Sequence, residues 1–184
     1  MTKLVIDSER SRIRIQTFAE GLFARLAHDL ELVCRECTGS AERVSDDRGS
    51  ANLEIPISKI DVSGTLKNGH VDPNGLSPSD RADCLAKMRK DVFHVSGDAR
   101  EVVRIEATAE GGKARVRVTP PNGRGVDGAV TVRIVSDADT VRVSGRFAVS
   151  LDAIGAAPVK GPMNAFRVKD AVELLFDVVF REAR

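Results

Sequence analysis

Hydrophobic and polar residues alternate with a period of two along most of this chain. The clearest run is 140–151, in which one parity holds Val141, Val143, Phe147, Val149 and Leu151. Successive side chains of a β-strand point to opposite faces, so such a run predicts a strand with one apolar and one polar face. Residues 171–181 repeat the pattern. Shorter runs predict six more strands, at residues 12–16, 29–35, 52–57, 103–106, 115–118 and 130–134.

One segment has the pattern of a helix instead. Ser77 is a good N-cap, Pro78 follows at the first helical position, and Asp80 stands third. The apolar residues that follow, Leu85, Met88 and Val92, have helical spacing. A second, shorter helical turn is predicted over residues 22–27. Residues 67–75 are rich in Asn, Gly, Asp and Pro, which predicts a surface loop.

About eight strands joined by short turns predict an all-β fold with antiparallel pairing, because such connections are too short for helical crossovers. Closure into a barrel or packing into a two-sheet sandwich would each protect the sheet edges, and the pattern does not separate these alternatives. A barrel of about eight strands has room for one small apolar ligand. The length, 184 residues, fits a single domain spanning 1–184.

The composition excludes several classes of function. The chain has 28 Lys and Arg against 27 Asp and Glu, so the clustered basic excess of a nucleic-acid-binding protein is not expected. No stretch is apolar for long enough to form a membrane-spanning segment, and residues 1–7 do not form a signal peptide. Three cysteines, an odd number, together with the lack of a signal peptide predict reduced thiols and a cytoplasmic location.

Several segments resemble the YceI-like family. The run at 21–30, G-L-F-A-R-L-A-H-D-L, resembles the turn and H-D-hydrophobic strand start of that family. Residues 84–93 resemble its helix and the V-F step after it, and 102–107 one of its strands. Residues 145–155 and 166–172, the second containing V-K-D-A-V, resemble its closing pattern. The similarity spans nearly the whole chain.

The resemblance implies a lipocalin-like antiparallel β-barrel whose lumen holds the tail of a polyisoprenoid or another long amphiphile. It also implies a homodimer. We therefore expect a lipid-binding protein that is not an enzyme and that needs no cofactor or metal. The alternative is a ligand-free barrel that serves as a protein-interaction or structural module. The residues predicted to contact the lipid are Phe18, Phe23, Leu26, His28, Leu30, Leu32, Phe147, Val149, Phe166 and Phe176.

Three polar features each allow two interpretations. His28 either contacts a head group at the barrel mouth or is a structural histidine bonded to the backbone, and Asp29 beside it would point to the opposite face. Cys34 and Cys37 form a lone C-x-x-C, which lacks the second pair of a zinc site and is expected to be two ordinary thiols. The strand arginines are solvated outer faces, or one of them binds an anionic head group. They are Arg12, Arg14, Arg115, Arg117, Arg142 and Arg146.

Overall fold

The computed structural model describes residues 1–21, 27–98, 100–137 and 139–183. Within these residues, twelve strands form one antiparallel sheet and two short strands form another. The strands are β1 (Thr2–Ile6), β2 (Arg12–Thr17), β3 (Ala19–Glu20), β4 (Asp29–Cys34), β5 (Thr38–Arg43), β6 (Arg48–Pro56), β7 (Ile60–Lys67), β8 (His70–Asp72), β9 (Val102–Glu110), β10 (Lys113–Thr119), β11 (Val126–Ser136), β12 (Thr140–Ser150), β13 (Arg167–Val168) and β14 (Ala171–Glu182).

The main sheet closes on itself. Its order includes β1-β5-β6-β9-β10-β11-β12-β14, and β14 also pairs with β1, with Leu4 opposite Glu182 and Ile6 opposite Phe180. The ring therefore has eight members, and the sheet is a closed antiparallel barrel rather than a sandwich. This confirms the predicted all-β, lipocalin-like architecture of about eight strands.

Three walls of the barrel consist of two strands in line. Both β1 and β2 run antiparallel to β14, and residues 7–11 loop out between them. The Ser11 hydroxyl holds this loop: it accepts a hydrogen bond from Val179 N (2.9 Å) and donates one to Asp7 O (2.7 Å). In the same way, β4 continues into β5, and β6 continues into β7 through the 3-10 turn Ile57–Lys59. Strand pairing is therefore present on both sides of each break.

The eight predicted strands are all present. The strands β1, β5 and β7, which share a wall with β2, β4 and β6, were not predicted. The alternation in β7 stops at a bulge opposite Glu31 and Leu32, after which Gly64 and Thr65 are both buried. The predicted loop at 67–75 is also wrong in part, because β8 within it forms a hairpin with β7. Glu31, a polar residue within the predicted strand 29–35, is only 5% exposed, and the Gln16 amide donates a hydrogen bond to its carboxylate (2.9 Å).

The helix is confirmed as α1 (Pro78–Lys87), and a π-helical turn continues it over Met88–Phe93. The Ser77 hydroxyl accepts a hydrogen bond from Asp80 N (3.1 Å) and donates one to the Asp80 carboxylate, so the predicted cap is present. The helical turn predicted at 22–27 falls mostly outside the described residues; Ala27 forms a bend.

The two ends of the barrel differ. At the helix end, α1 and residues 151–166 lie over the lumen. At the hairpin end lie the β5–β6, β9–β10 and β11–β12 turns. In the β9–β10 turn, Gly111 and Gly112 have φ of 58° and 75°, which only glycine adopts without strain. Buried aliphatic side chains such as Leu53, Ile55 and Val178 line the lumen.

Candidate functional site

The larger of two cavities in the lumen is the helix-end chamber, whose volume is about 520 Å³. Leu30 and Leu32 of β4 and Val149 of β12 form part of its wall. These side chains share the inward parity of their strands, so the alternation that makes the strands also makes the wall apolar. Small-molecule sites in proteins have volumes of about 300–1,000 Å³ and mostly apolar linings, and this chamber fits that description.

The roof of the helix-end chamber comes from α1, the π-helical turn and residues 151–166. Cys84, Met88 and Phe93 face the chamber from the helix, and Ile154 and Phe166 face it from the later segment. The apolar spacing predicted this helix but not its position over the lumen, so its lining residues were absent from the predicted site.

Hydrogen bonds tie the two parts of the roof together. Ala157 N donates to Asp91 O (2.7 Å), and Lys87 Nζ donates to Lys160 O (3.2 Å). His94 lies between the parts: its Nδ1 is 3.0 Å from Lys90 O, and its Nε2 is 3.0 Å from Gly155 O. His94 is therefore a structural histidine at the roof.

Charged side chains of the helix-end chamber lie at its rim. The chamber is lined there by His28, Asp80, Asp83, Lys87 and Lys160. His28 is exposed, and among the described residues neither of its ring nitrogens has a hydrogen-bond partner, which fits the mouth position better than the structural one. Asp29 accepts a hydrogen bond from Ala19 N (2.8 Å), so it does not orient His28.

None of the six strand arginines lines either chamber. Four of them pair with carboxylates on the outer face: Arg14 with Glu31, Arg117 with Asp127, Arg142 with Asp177, and Arg146 with Glu173. The side-chain hydrogen bond from Arg142 lowers the pKa of Asp177. The cations that line the helix-end chamber are Lys87 and Lys160, and Arg43 and Arg48 line the hairpin-end chamber. Binding of an anionic head group by one of the six strand arginines stays a prediction.

A second, smaller cavity lies at the other side of the lumen. This hairpin-end chamber has a volume of about 140 Å³, and its wall includes Ala41, Ala51 and Ala107. Ala41 pairs with Ala51, and Ala51 pairs with Ala107, so the three small side chains form one row across neighbouring strands. Phe147 and Phe176 face this row from the other wall.

Most of the predicted site residues lie in the lumen. Phe18, His28, Leu30, Leu32, Val149 and Phe166 line the helix-end chamber, and Phe147 and Phe176 line the hairpin-end chamber. Phe23 and Leu26 lie outside the described residues. The structure thus divides the predicted set between two chambers, although the sequence suggested a single cavity. Contact between these residues and a lipid stays a prediction.

All three cysteines are free thiols with a raised pKa. Burial raises the pKa of the Cys34 thiol, and burial together with Cys34 raises that of Cys37 to about 11. Cys84 is half-buried in the chamber roof, and burial followed by the carboxylates of Asp80 and Asp83 raises the pKa of its thiol. Within the described ranges, no three His, Cys, Asp or Glu side chains are grouped so that they could hold a metal ion.

Comparisons with known proteins support the fold. No family model and no curated protein matches the chain. The structure of BcnA from Burkholderia cenocepacia is similar with a TM-score of 0.63 and 14% identity, over 95% of this chain and 98% of that one. A polyisoprenoid-binding domain from Saccharophagus degradans, implicated in plant cell wall breakdown, is similar with a TM-score of 0.59 and 9% identity, over 100% of both chains.

These similarities confirm the predicted resemblance to the YceI-like family at the level of the fold. At such low identity they carry the architecture and not the ligand. One of the two is described as a binding domain. No α-helix in the part of this chain that the structure describes is both long enough and apolar enough to cross a membrane.

Proposed function

We propose that this protein binds one long-chain amphiphilic lipid, a polyisoprenoid or an acyl chain, in the lumen of its barrel, for carriage, storage or sensing. The observation that carries the proposal is the helix-end chamber, which has an apolar wall and charged residues confined to its rim. An amphiphile matches this arrangement, because its tail requires an apolar surface and its head group requires water or charge.

The volume of the chamber sets the size of the tail. An apolar cavity of about 150 Å³ holds benzene, which corresponds to about 25 Å³ for each carbon atom. By that measure, the 520 Å³ of the helix-end chamber hold a tail of about 20 carbon atoms. Each buried methylene contributes about 0.8 kcal/mol, so such a tail binds tightly without specific polar contacts.

The head group would lie at the rim, beside Lys87 and Lys160. Both ammonium groups favour an anionic head group such as a phosphate, whereas Asp80 and Asp83 would disfavour a dianion placed close to them. We expect the variant Lys87→Gln to weaken the binding of a prenyl phosphate more than that of the matching prenyl alcohol. Equal losses for the two ligands would place the head group elsewhere.

We further propose that the protein is not an enzyme, acts as one domain over residues 1–184, forms a homodimer, works in the cytoplasm and does not bind nucleic acid. Gel filtration with light scattering tests the dimer. A ligand-free interaction module is the rival function. It predicts a lumen filled by side chains, and the two chambers favour lipid binding over it.

Solvent extraction of the purified protein, followed by mass spectrometry, tests lipid binding directly. We expect a single-chain lipid at close to one equivalent. The variant Leu30→Trp places an indole in the helix-end chamber and should reduce the recovered lipid at least tenfold. Ala148→Trp, on the exposed outer face of β12, is the matched control and should retain it. Recovery of no lipid, and no uptake of an added prenyl alcohol, would contradict the proposal.

A further inference from the structure

The two chambers meet at four side chains. Ile13, Ile105, Val118 and Leu174 line both the helix-end and the hairpin-end chamber. Ile105 and Val118 face each other on β9 and β10, and Ile13 and Leu174 lie on the neighbouring strands β2 and β14. In the ring of eight walls, these two pairs of strands are diametrically opposite. The four residues therefore form the boundary between the two chambers from opposite sides of the lumen, and we refer to this boundary as the constriction.

The far side of the hairpin-end chamber is lined by charged side chains, among them Arg43, Asp46 and Arg48. The β5–β6 turn lies there, and its carbonyl groups are bound by other turns of the same end. Asp47 O accepts a hydrogen bond from Gly111 N (3.2 Å), and Asp46 O accepts one from the Ser136 hydroxyl (3.4 Å). These bonds connect the β5–β6 turn to the β9–β10 turn and to the end of β11. An apolar chain that entered from the helix end would pass the constriction and then meet these charged side chains, where the burial of further methylenes ends.

The register of the strands places small side chains next to one another in the wall of the hairpin-end chamber, and this leaves the chamber its space. The row Ala41, Ala51 and Ala107 continues to Val116 and then to Gly128, so one wall consists of small side chains. At about 25 Å³ for each carbon atom, the 140 Å³ of this chamber hold about six carbon atoms. An apolar cavity of this kind stays dry, so an apolar chain end would enter it without displacing bound water.

We infer that the lumen measures the length of its ligand: the tail fills the helix-end chamber, passes the constriction, and places its last carbon atoms against the alanine row. This inference rests on the proposed lipid binding. It assigns the ligand to single chains of about 25 carbon atoms, which is the combined room of the two chambers. Ala107, Ala51 and Ile105 determine the specificity for length.

The test is a competition among prenyl alcohols of 15, 20, 25 and 30 carbon atoms, mixed in equal amounts with the protein. The bound fraction is separated by gel filtration and quantified by mass spectrometry. Each buried methylene raises affinity by about fourfold, so retention should rise up to the 25-carbon alcohol. The 30-carbon alcohol exceeds the apolar room available, so its retention should not rise above that of the 25-carbon alcohol.

Two variants should shift this preference by one prenyl unit. Ala107→Phe fills the hairpin-end chamber, and Ile105→Phe narrows the constriction. Either change should lower the ratio of bound 25-carbon to 20-carbon alcohol at least tenfold and leave the 15-carbon alcohol unaffected. Thr108→Phe, on the exposed outer face of the same strand, is the control and should behave as the wild type. Ala51→Leu replaces Ala107→Phe if circular dichroism shows that the latter is unfolded.

The outcomes separate the two proposals. If the wild type retains no alcohol of any length, lipid binding itself is wrong. If the wild type retains alcohols but the folded variants keep its ratio, or if retention rises from the 25-carbon to the 30-carbon alcohol as steeply as from the 20-carbon to the 25-carbon one, the lumen does not measure length.

Discussion

Two glycines on the inner face of the barrel make room for aromatic rings, and Gly128 offers the sharper test. A Cβ atom built on Gly128 would lie 2.3 Å from Cε2 and 2.7 Å from Cζ of Phe147. Ordinary carbon contacts are about 3.5–4.0 Å, so the ring would have to move by more than 1 Å. Gly128 does not have a positive φ, so the effect of Gly128→Ala comes from the ring and from the flexibility of the unfolded chain.

The magnitude follows from these two effects. Overpacking costs about 1–3 kcal/mol, and replacing a glycine by alanine at an unstrained position stabilises by about 0.4–1 kcal/mol. Gly128→Ala should therefore destabilise the wild type by roughly 0.5–2 kcal/mol. In a Phe147→Leu background the clashing ring atoms are gone, because the third contact, Cδ2, is at 3.5 Å. There the same change should stabilise the protein.

Urea unfolding followed by far-UV circular dichroism measures these free energies, since the chain has neither Trp nor Tyr for intrinsic fluorescence. The double-mutant cycle of Gly128→Ala and Phe147→Leu should give a coupling of about 1–3 kcal/mol. An equal loss of stability in both backgrounds would show that the Phe147 ring is not what a Cβ atom at residue 128 disturbs, and would refute the reasoning.

Three more predictions concern the frame of the barrel and its thiols. Ser11→Ala removes the partner of a buried β14 amide and should cost about 1–3 kcal/mol in urea unfolding, whereas Ser8→Ala in the same loop should cost little. The hydrogen bond from Asp152 N lowers the pKa of Asp170, so the carboxylate stabilises the fold above about pH 4 and this stabilisation is lost as the pH falls through the folded pKa. In the variant Asp170→Asn, the free energy of unfolding should therefore fall less between neutral and acid pH than in the wild type. The same dependence on pH in both proteins would contradict this prediction. A thiol reagent at pH 8 should modify Cys84 slowly and the two buried cysteines not at all, and bound lipid should protect Cys84; modification of all three at equal rates would argue against this structure of the roof.

The strands were predictable wherever apolar residues keep strict alternation, as in β12 and β14. The sequence of β5, T-G-S-A-E-R, contains a single apolar residue, Ala41, so periodicity could not reveal it. In β7 the bulge shifts the alternation of inward and outward residues within the strand, so its sequence does not keep a period of two. Long-range pairing stabilises both segments, and a local pattern carries no information about such pairing.

The apolar wall of the site was predictable for the same reason as the strands, because inward parity and apolar parity coincide. The division into two chambers was not. It depends on which side chains share a row across the barrel, and Ala41, Ala51 and Ala107 are adjacent only through register. The position of α1 over the lumen depends on tertiary packing too, and the spacing of its apolar residues fixes only the face that is turned inward.

The relation of α1 to the sheet has a consequence for hydrogen exchange. In the described part of the barrel, β6 pairs with β9 as far as Pro56 and Val102, while β7 beyond it pairs with β4 and β8. Within that part, β7 does not pair with β9, so the hydrogen bonds between these two walls end at Pro56 and Val102. α1 lies beside β7, and none of its residues is fully buried. Lifting α1 away breaks the hydrogen bonds from Arg81 to Val62 O and Pro73 O but none between strands, so its amides should exchange by a local opening at a lower free energy than those of β12 and β14.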